Sequence, residues 1–149
     1  MGMFWERVLE PVARWTLWTA AAAAVLVGCT QPDSATETME PTLEMIQEKI
    51  FAKACASGCH DAQVRAGDLD LSSAEASYEA LVNMPADNDV AFENRWLRVK
   101  PGDAERSFLV RKMRQPGLGE GAPMPMGPMG VHEEWMALVE AWINDGAKR

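Results

Sequence analysis

Residues 115–130 read QPGLGEGAPMPMGPMG, with five glycines and four prolines in sixteen positions. Such a stretch breaks both helical and sheet ladders, so it is neither a helix nor a central strand. It divides the chain, and whatever folds must pack an element before it against one after it. The element after it is clear. Trp135, Leu138, Val139, Trp142 and Ile143 recur at i, i+3, i+4, i+7 and i+8, predicting a helix over 132–145 that Gly146 stops. Before the divide, Val99-Lys100-Pro101-Gly102-Asp103 reads as a turn. Asp103 is placed to cap a helix over 104–114.

Further upstream, Thr42 is an N-cap for a helix that carries Ile46, Ile50, Phe51 and Ala54 on one side. Leu69 and Leu71 alternate with polar neighbours as a short extended piece. Ser72-Ser73-Ala74-Glu75 offers a capping box for a helix through about Val82. Residues 83–94 read as a surface excursion. The expected fold is all-α, three to four helices joined by long loops. So few apolar faces make a thin core, which a large apolar cofactor would fill.

The N-terminus predicts a separate fate. Trp15 to Gly28 is a 14-residue run rich in Ala, Leu and Val, preceded by Arg7 and Arg14. It is shorter than the ~20 residues an apolar helix needs to span a bilayer, and it reads as the apolar region of a secretory signal. Leu26-Val27-Gly28-Cys29 resembles the bacterial lipobox, in which cleavage precedes a cysteine that accepts lipid. The bland alternative is an ordinary exported protein with a chance cysteine. The expected organisation is a signal peptide at 1–28, a lipidated tether at 29–41 and a folded domain at 42–149. Thr30-Gln31 lacks the aspartate that, in Gram-negative lipoproteins, favours the inner membrane. The expected location is therefore the bacterial envelope, anchored to the outer membrane and facing the periplasm.

With Cys29 assigned to lipid, Cys55 and Cys59 remain. Exported thiols meet an oxidising compartment and seldom stay free. The net charge of −8 makes a nucleic-acid partner unfavourable, because phosphates would be repelled. No serine, histidine and carboxylate gather into a hydrolytic motif; His132 beside Glu133 and Glu134 is too little. The expectation is a protein without enzymatic activity of its own.

Residues 55–60 read CASGCH. Covalent haem attachment needs two thiols that reach two vinyl groups and an imidazole that ligates the iron. The demanding half is the second cysteine followed at once by histidine, here Cys59-His60. The first cysteine has only to reach the other vinyl, and Gly58 gives latitude to a spacer one residue longer than usual. Two alternatives stand beside it. Cysteines at i and i+4 on a helix lie within disulfide range. A metal could also be held by Cys55, Cys59, His60 and His132, a sparse set.

A haem iron held by His60 takes a second axial ligand or keeps an open face, and thioether sulfur is a common choice. Met124, between Pro123 and Pro125, is the preferred candidate, with Met126, Met129 and His132 as others. The methionines could instead pack on the core. Their MPMGPM spacing could also form a Cu(I)-binding thioether cluster.

Ile50-Phe51, Cys55…Cys59-His60, Leu69-Asp70-Leu71, Tyr78 to Val82, Val99 to Asp103, Ser107-Phe108-Leu109, Met124-Pro125 and Trp142 to Ala147 follow in an order that resembles bacterial cytochrome c-like lipoproteins. The resemblance spans nearly all of residues 46–147. It implies a small cytochrome c-like domain with one covalent haem c that carries electrons to a redox partner. It also implies thioethers at Cys55 and Cys59, His60 as proximal ligand, Met124 as distal ligand, and Trp142 beside the haem where the first and last helices cross.

Seven basic residues cluster at Arg95, Arg98, Lys100, Arg106, Arg111, Lys112 and Arg114. On an acidic chain they predict a dipole that could orient the domain against a partner, or simply a solvated helix face. Beside the electron carrier stand two other classes. One is a haem-free envelope lipoprotein closed by a Cys55–Cys59 disulfide, and the other is a copper-binding lipoprotein using the methionine loop.

Overall fold

Thr42 caps the first helix from its predicted position, its hydroxyl accepting from the Met45 N–H at 3.3 Å. The computed structural model describes residues 40–127 and 130–149. The expected signal peptide, Cys29, most of the tether, Pro128 and Met129 lie outside the described residues. Helix α1 is Leu43–Ile46, and it does not continue as an α-helix. Gln47–Cys55 is a π-helix, finished by an Ala56 N–H bond to the Phe51 carbonyl at 2.8 Å. That i→i+5 ladder resets the buried face. Burial falls at Ile46–Gln47, at Ile50–Phe51 and at Ala56, a repeat longer than 3.6 residues. Ala54, which α-helical spacing would group with Ile50 and Phe51, is only half-buried.

Helix α2 is Ala74–Leu81, and its cap falls one residue later than the expected capping box. Ser73 accepts from the Ala76 N–H at 3.1 Å, so Glu75 is not at the position that reaches back to the cap. The expected excursion at 83–94 contains helix α3, Asp89–Glu93, with Asn88 accepting from the Ala91 N–H at 3.0 Å. Asp103 caps a turn and not the next helix: its carboxylate accepts from the Arg106 N–H at 3.1 Å. Helix α4 starts only at Phe108 and ends at Met113. Helix α5, Glu133–Asn144, matches its prediction and stops where Gly146 and Ala147 donate to the Ile143 and Trp142 carbonyls at 3.0 and 2.9 Å.

The fold is thus mostly helical, with five α-helices among the described residues and no strand. The α class holds. The count exceeds the expected three to four because α3 buries little beyond Ala91 and leaves no apolar periodicity to read. Isolated bridges join Val82 to Val99, Pro85 to Leu97 and Leu97 to Ser107. They lash the loop after α2 to the approach to α4.

One core holds the elements together. Leu43, Ile46, Ile50 and Phe51 meet Leu81, Val99, Val110, Val139, Trp142 and Ile143 in one cluster. At roughly 1.5–3 kcal/mol for each fully buried large side chain, this cluster dominates stability. The Pro101-Gly102 turn is tied to the end of α5 by the Gly102 N–H bond to the Ile143 carbonyl at 2.7 Å. A smaller cluster of Ala86, Ala91 and Phe108 with Trp96 underlies α3.

Candidate functional site

The π-helix delivers its last residue, Cys55, half-buried against the core, while Cys59 is exposed on the loop that follows. The two are not disulfide-bonded. Burial, and secondarily the nearby Cys59, pushes the Cys55 thiol up to about 11. It therefore stays protonated at neutral pH. Gly58 has a φ of +75°, a left-handed conformation that glycine adopts at little cost, so the longer spacer has the backbone latitude expected of it.

Backbone bonds fold CASGCH into a closed loop. Cys59 N–H donates to the Ala56 carbonyl at 3.3 Å, and His60 N–H to the Cys55 carbonyl at 3.2 Å. The Asp61 carboxylate accepts from the N–H groups of Gly58, Gln63 and Val64 at 3.1, 2.9 and 2.8 Å. These bonds, Val64's first and Gln63's next, hold the Asp61 carboxyl below the usual carboxylate range. The loop is therefore stapled from its own downstream side.

The imidazole is oriented by a backbone group. His60 Nδ1 lies 2.8 Å from the Ala66 carbonyl oxygen. A carbonyl can only accept, so Nδ1 carries the proton, and in the neutral ring the free lone pair is on Nε2. Metal-ligating histidines are commonly held this way. Ala66 is fixed in return, its N–H donating to the Cys59 carbonyl at 2.9 Å. The His60 carbonyl accepts from the Leu71 N–H at 2.7 Å, which ties the motif to the extended piece before α2.

Met124 sits elsewhere in the loop network. Its N–H donates to the Lys112 carbonyl at 2.7 Å, and the residue is half-buried. Lys112 Nζ donates to the carbonyls of Glu120, at 2.9 Å, and Ala122. Arg111 donates to the Glu120 carboxylate through Nε and Nη2, and the Gly117 N–H donates to it at 2.6 Å. The Glu120 carboxyl is held below its usual range, chiefly by Arg111. The Gly/Pro segment is thus pinned to α4 by two charged side chains. Among the described residues no hydrogen bond links Met124 to the Cys55–His60 loop.

The other candidates separate. Met126 is 66 % exposed. His132 is exposed at the start of α5, its ring edge-on to Trp135 at 5.0 Å. Trp142 is buried, its indole N–H donating to the Lys148 carbonyl at 2.7 Å. Two cavities flank the Arg114–Glu140 ion pair. One, of about 510 Å³, is lined by Met113, Val131 and Met136; the other, of about 390 Å³, by Ala104 and Val110. Neither is lined by Cys55, Cys59, His60 or Met124. Among the described residues, no group of three His, Cys, Asp or Glu side chains could hold a metal ion.

Most of the basic cluster is committed internally. Lys100 pairs with Asp103 at 2.8 Å, Arg111 with Glu120 at 2.6 Å, and Arg114 with Glu140. Arg111 also lies over the Trp96 ring at 4.6 Å, Lys112 holds loop carbonyls, and Arg98 holds others. Residue type signalled neither the Ala66 carbonyl nor the role of Arg98. Asp61 was findable, since Asp before backbone N–H groups two and three residues on is a local turn signal.

No protein-family model matches the chain, and no curated protein or solved structure matches it either. What fold and site define is an all-α domain whose first helical segment ends in a Cys-x-x-x-Cys-His loop. In that loop the histidine carries its proton on Nδ1, which leaves the Nε2 lone pair free.

Proposed function

We propose that this chain is a lipid-anchored, monohaem c-type electron carrier of the bacterial envelope, with a cytochrome c-like domain and a redox protein as partner. The observation that supports this most is the His60 Nδ1–H bond to the Ala66 carbonyl at 2.8 Å. It leaves Nε2 as the one ring atom able to ligate, on the residue that follows Cys59. The donor set fits haem c on this proximal side: two unbridged thiols and one oriented imidazole on a single loop.

Bound haem would supply an iron that accepts and returns one electron. Cys55 and Cys59 would hold it by adding S–H across its two vinyl groups, forming one C–S and one C–H bond each without consuming oxidant. The protonated Cys55 thiol already has the state that this addition uses. His60 would give its Nε2 lone pair to the iron, and the Ala66 carbonyl would keep the ring from rotating. Met124 is the proposed distal ligand, on a segment braced by Lys112 and Glu120. Cys29 would carry the anchor.

Haem staining after denaturing electrophoresis, with pyridine haemochrome absorbance, tests the proposal. Protein from cells competent in cytochrome maturation should retain the stain, and Cys59→Ser should reduce it. A blank lane, together with a mass showing Cys55 joined to Cys59, would replace this reading with the disulfide-closed lipoprotein. Met124→Ala should shift the reduced spectrum; an unchanged spectrum would move the distal position to another residue.

A further inference from the structure

The segment that orients His60 is itself conformationally costly. Arg65, Gly67 and Asp68 have φ values of +45°, +65° and +48°. Two of these are non-glycine residues in the left-handed region, where the Cβ crowds the following carbonyl. Such a corner persists only when its surroundings fix it. From the inside, Ala66 is held by Cys59 and His60. From the outside, the next two carbonyls are taken by one side chain: Arg98 Nη2 donates to the Gly67 carbonyl at 3.0 Å, and Nη1 to the Asp68 carbonyl at 3.2 Å.

Arg98 also reaches the far end of α2, where Nη1 donates to the Ala80 carbonyl at 3.0 Å. Its own backbone is fixed on both sides. Its N–H donates to the Met84 carbonyl at 2.7 Å, and its carbonyl accepts from the Leu109 N–H in α4 at 2.9 Å. A planar guanidinium on a fixed backbone is suited to grip several carbonyls at once, and a lysine ammonium lacks that fork. Among the described residues no acid pairs with it, and its guanidinium donates to carbonyls of the corner and of α2.

We infer that Arg98 is a positioning residue for His60: it locks the Arg65–Asp68 corner, so that the Ala66 carbonyl stays where it fixes the imidazole. The functional meaning of this role rests on the haem-attachment reading, but the orientation of His60 does not. Through Leu109, Arg98 also ties that corner to α4, the helix from which Lys112 braces the Met124 segment.

The test uses the full-length chain, purified haem-free in detergent from cells lacking cytochrome maturation. The readouts are the His60 ring ¹⁵N signals, at a pH where the imidazole is neutral, and hydrogen exchange at the Ala66 amide. The native chain should show a single Nδ1–H tautomer and a protected amide. Arg98→Ala should give mixed tautomers and about ten- to a hundredfold faster Ala66 exchange, the scale of losing a charged hydrogen bond. Arg98→Lys should lose the same two signals to a smaller extent, and it is read instead if the alanine variant fails to fold. Gly119→Ala, which weakens the fold at the turn packed on Val90, should leave the tautomer unchanged. Retention of the single tautomer and of full Ala66 protection in the folded Arg98 variant overturns the inference. A blank haem stain with the tautomer change intact would defeat only the haem reading; a stained native protein with an unmoved tautomer would defeat only this one.

Discussion

Ser77 Oγ donates to the Gln47 side-chain carbonyl at 2.7 Å in the buried space between the π-helix and α2. Gln47 Nε2 then donates to the Leu71 carbonyl at 2.8 Å. One amide so joins three segments, and Leu71 in turn holds the His60 carbonyl. Ser77 is fully buried, so removing its hydroxyl strands an acceptor. Ser77→Ala should cost about 1–3 kcal/mol, read as a lower urea midpoint at unchanged slope. Equal midpoints would mean that the pair contributes nothing net.

The two thiols should differ in reactivity in the haem-free chain. Cys59 is exposed and Cys55 half-buried, and thiolate is the attacking species. At pH 7 iodoacetamide should label Cys59 first, with Cys55 following only as the pH approaches about 11. Peptide mass mapping over time reads the order, and equal rates would contradict the burial of Cys55.

The same raised thiol sets a sign for stability. Below its ordinary value of 9.0 both folded and unfolded chains hold the proton. Between 9.0 and about 11 the unfolded chain releases it while the folded chain retains it, so stability should fall as pH rises through that window. Cys55→Ala should flatten this part of the curve, measured by denaturant titration at each pH.

Glu120 works in the opposite direction. Arg111 and the Gly117 N–H favour its charged form. Its contribution is present above the unfolded carboxyl value and is lost as pH falls through the lower folded one. Glu120→Gln should lower Tm by several degrees at pH 7. The gap to the native protein should shrink on acidification, and a gap independent of pH would rule out an ionic origin.

Gly119 has a φ of +81°, and a Cβ there would lie 2.8 Å from Val90 Cγ2. The Asn88 side chain also donates to its carbonyl at 3.0 Å, so α3 is docked on this turn. Gly119→Ala should cost about 1–3 kcal/mol. Adding Val90→Ala should recover only the steric part, leaving the backbone strain. Chemical denaturation of the single and double variants separates the two.

How far the fold could be read depended on how local its causes are. Thr42, the apolar stripe of α5 and its stop near Gly146 were legible because caps and periodicity act within a few residues. The short helix α3 escaped because its single buried side chain, Ala91, makes no stripe. The π-helix escaped because Ile46, Ile50, Phe51 and Ala56 satisfy its period only once the core of α2 and α5 selects the wider turn. At the site, the adjacency of Cys59 and His60 was plain, and so was the freedom of Gly58. The brace on the imidazole was not, since a backbone carbonyl carries no side-chain signature.

By itself the sequence determined the α class, the helix- and strand-breaking Gly/Pro divide and the cysteines and histidine on one loop, all set by side chains acting on their own neighbourhood. Only the tertiary structure decided which ring nitrogen of His60 is engaged and which carbonyls Arg98 meets. It also decided which groups most of the basic cluster is held against. Those outcomes turn on carbonyls and carboxylates supplied from other parts of the chain. Arg98 meets Gly67 from 31 residues away, a distance across which no local pattern carries information.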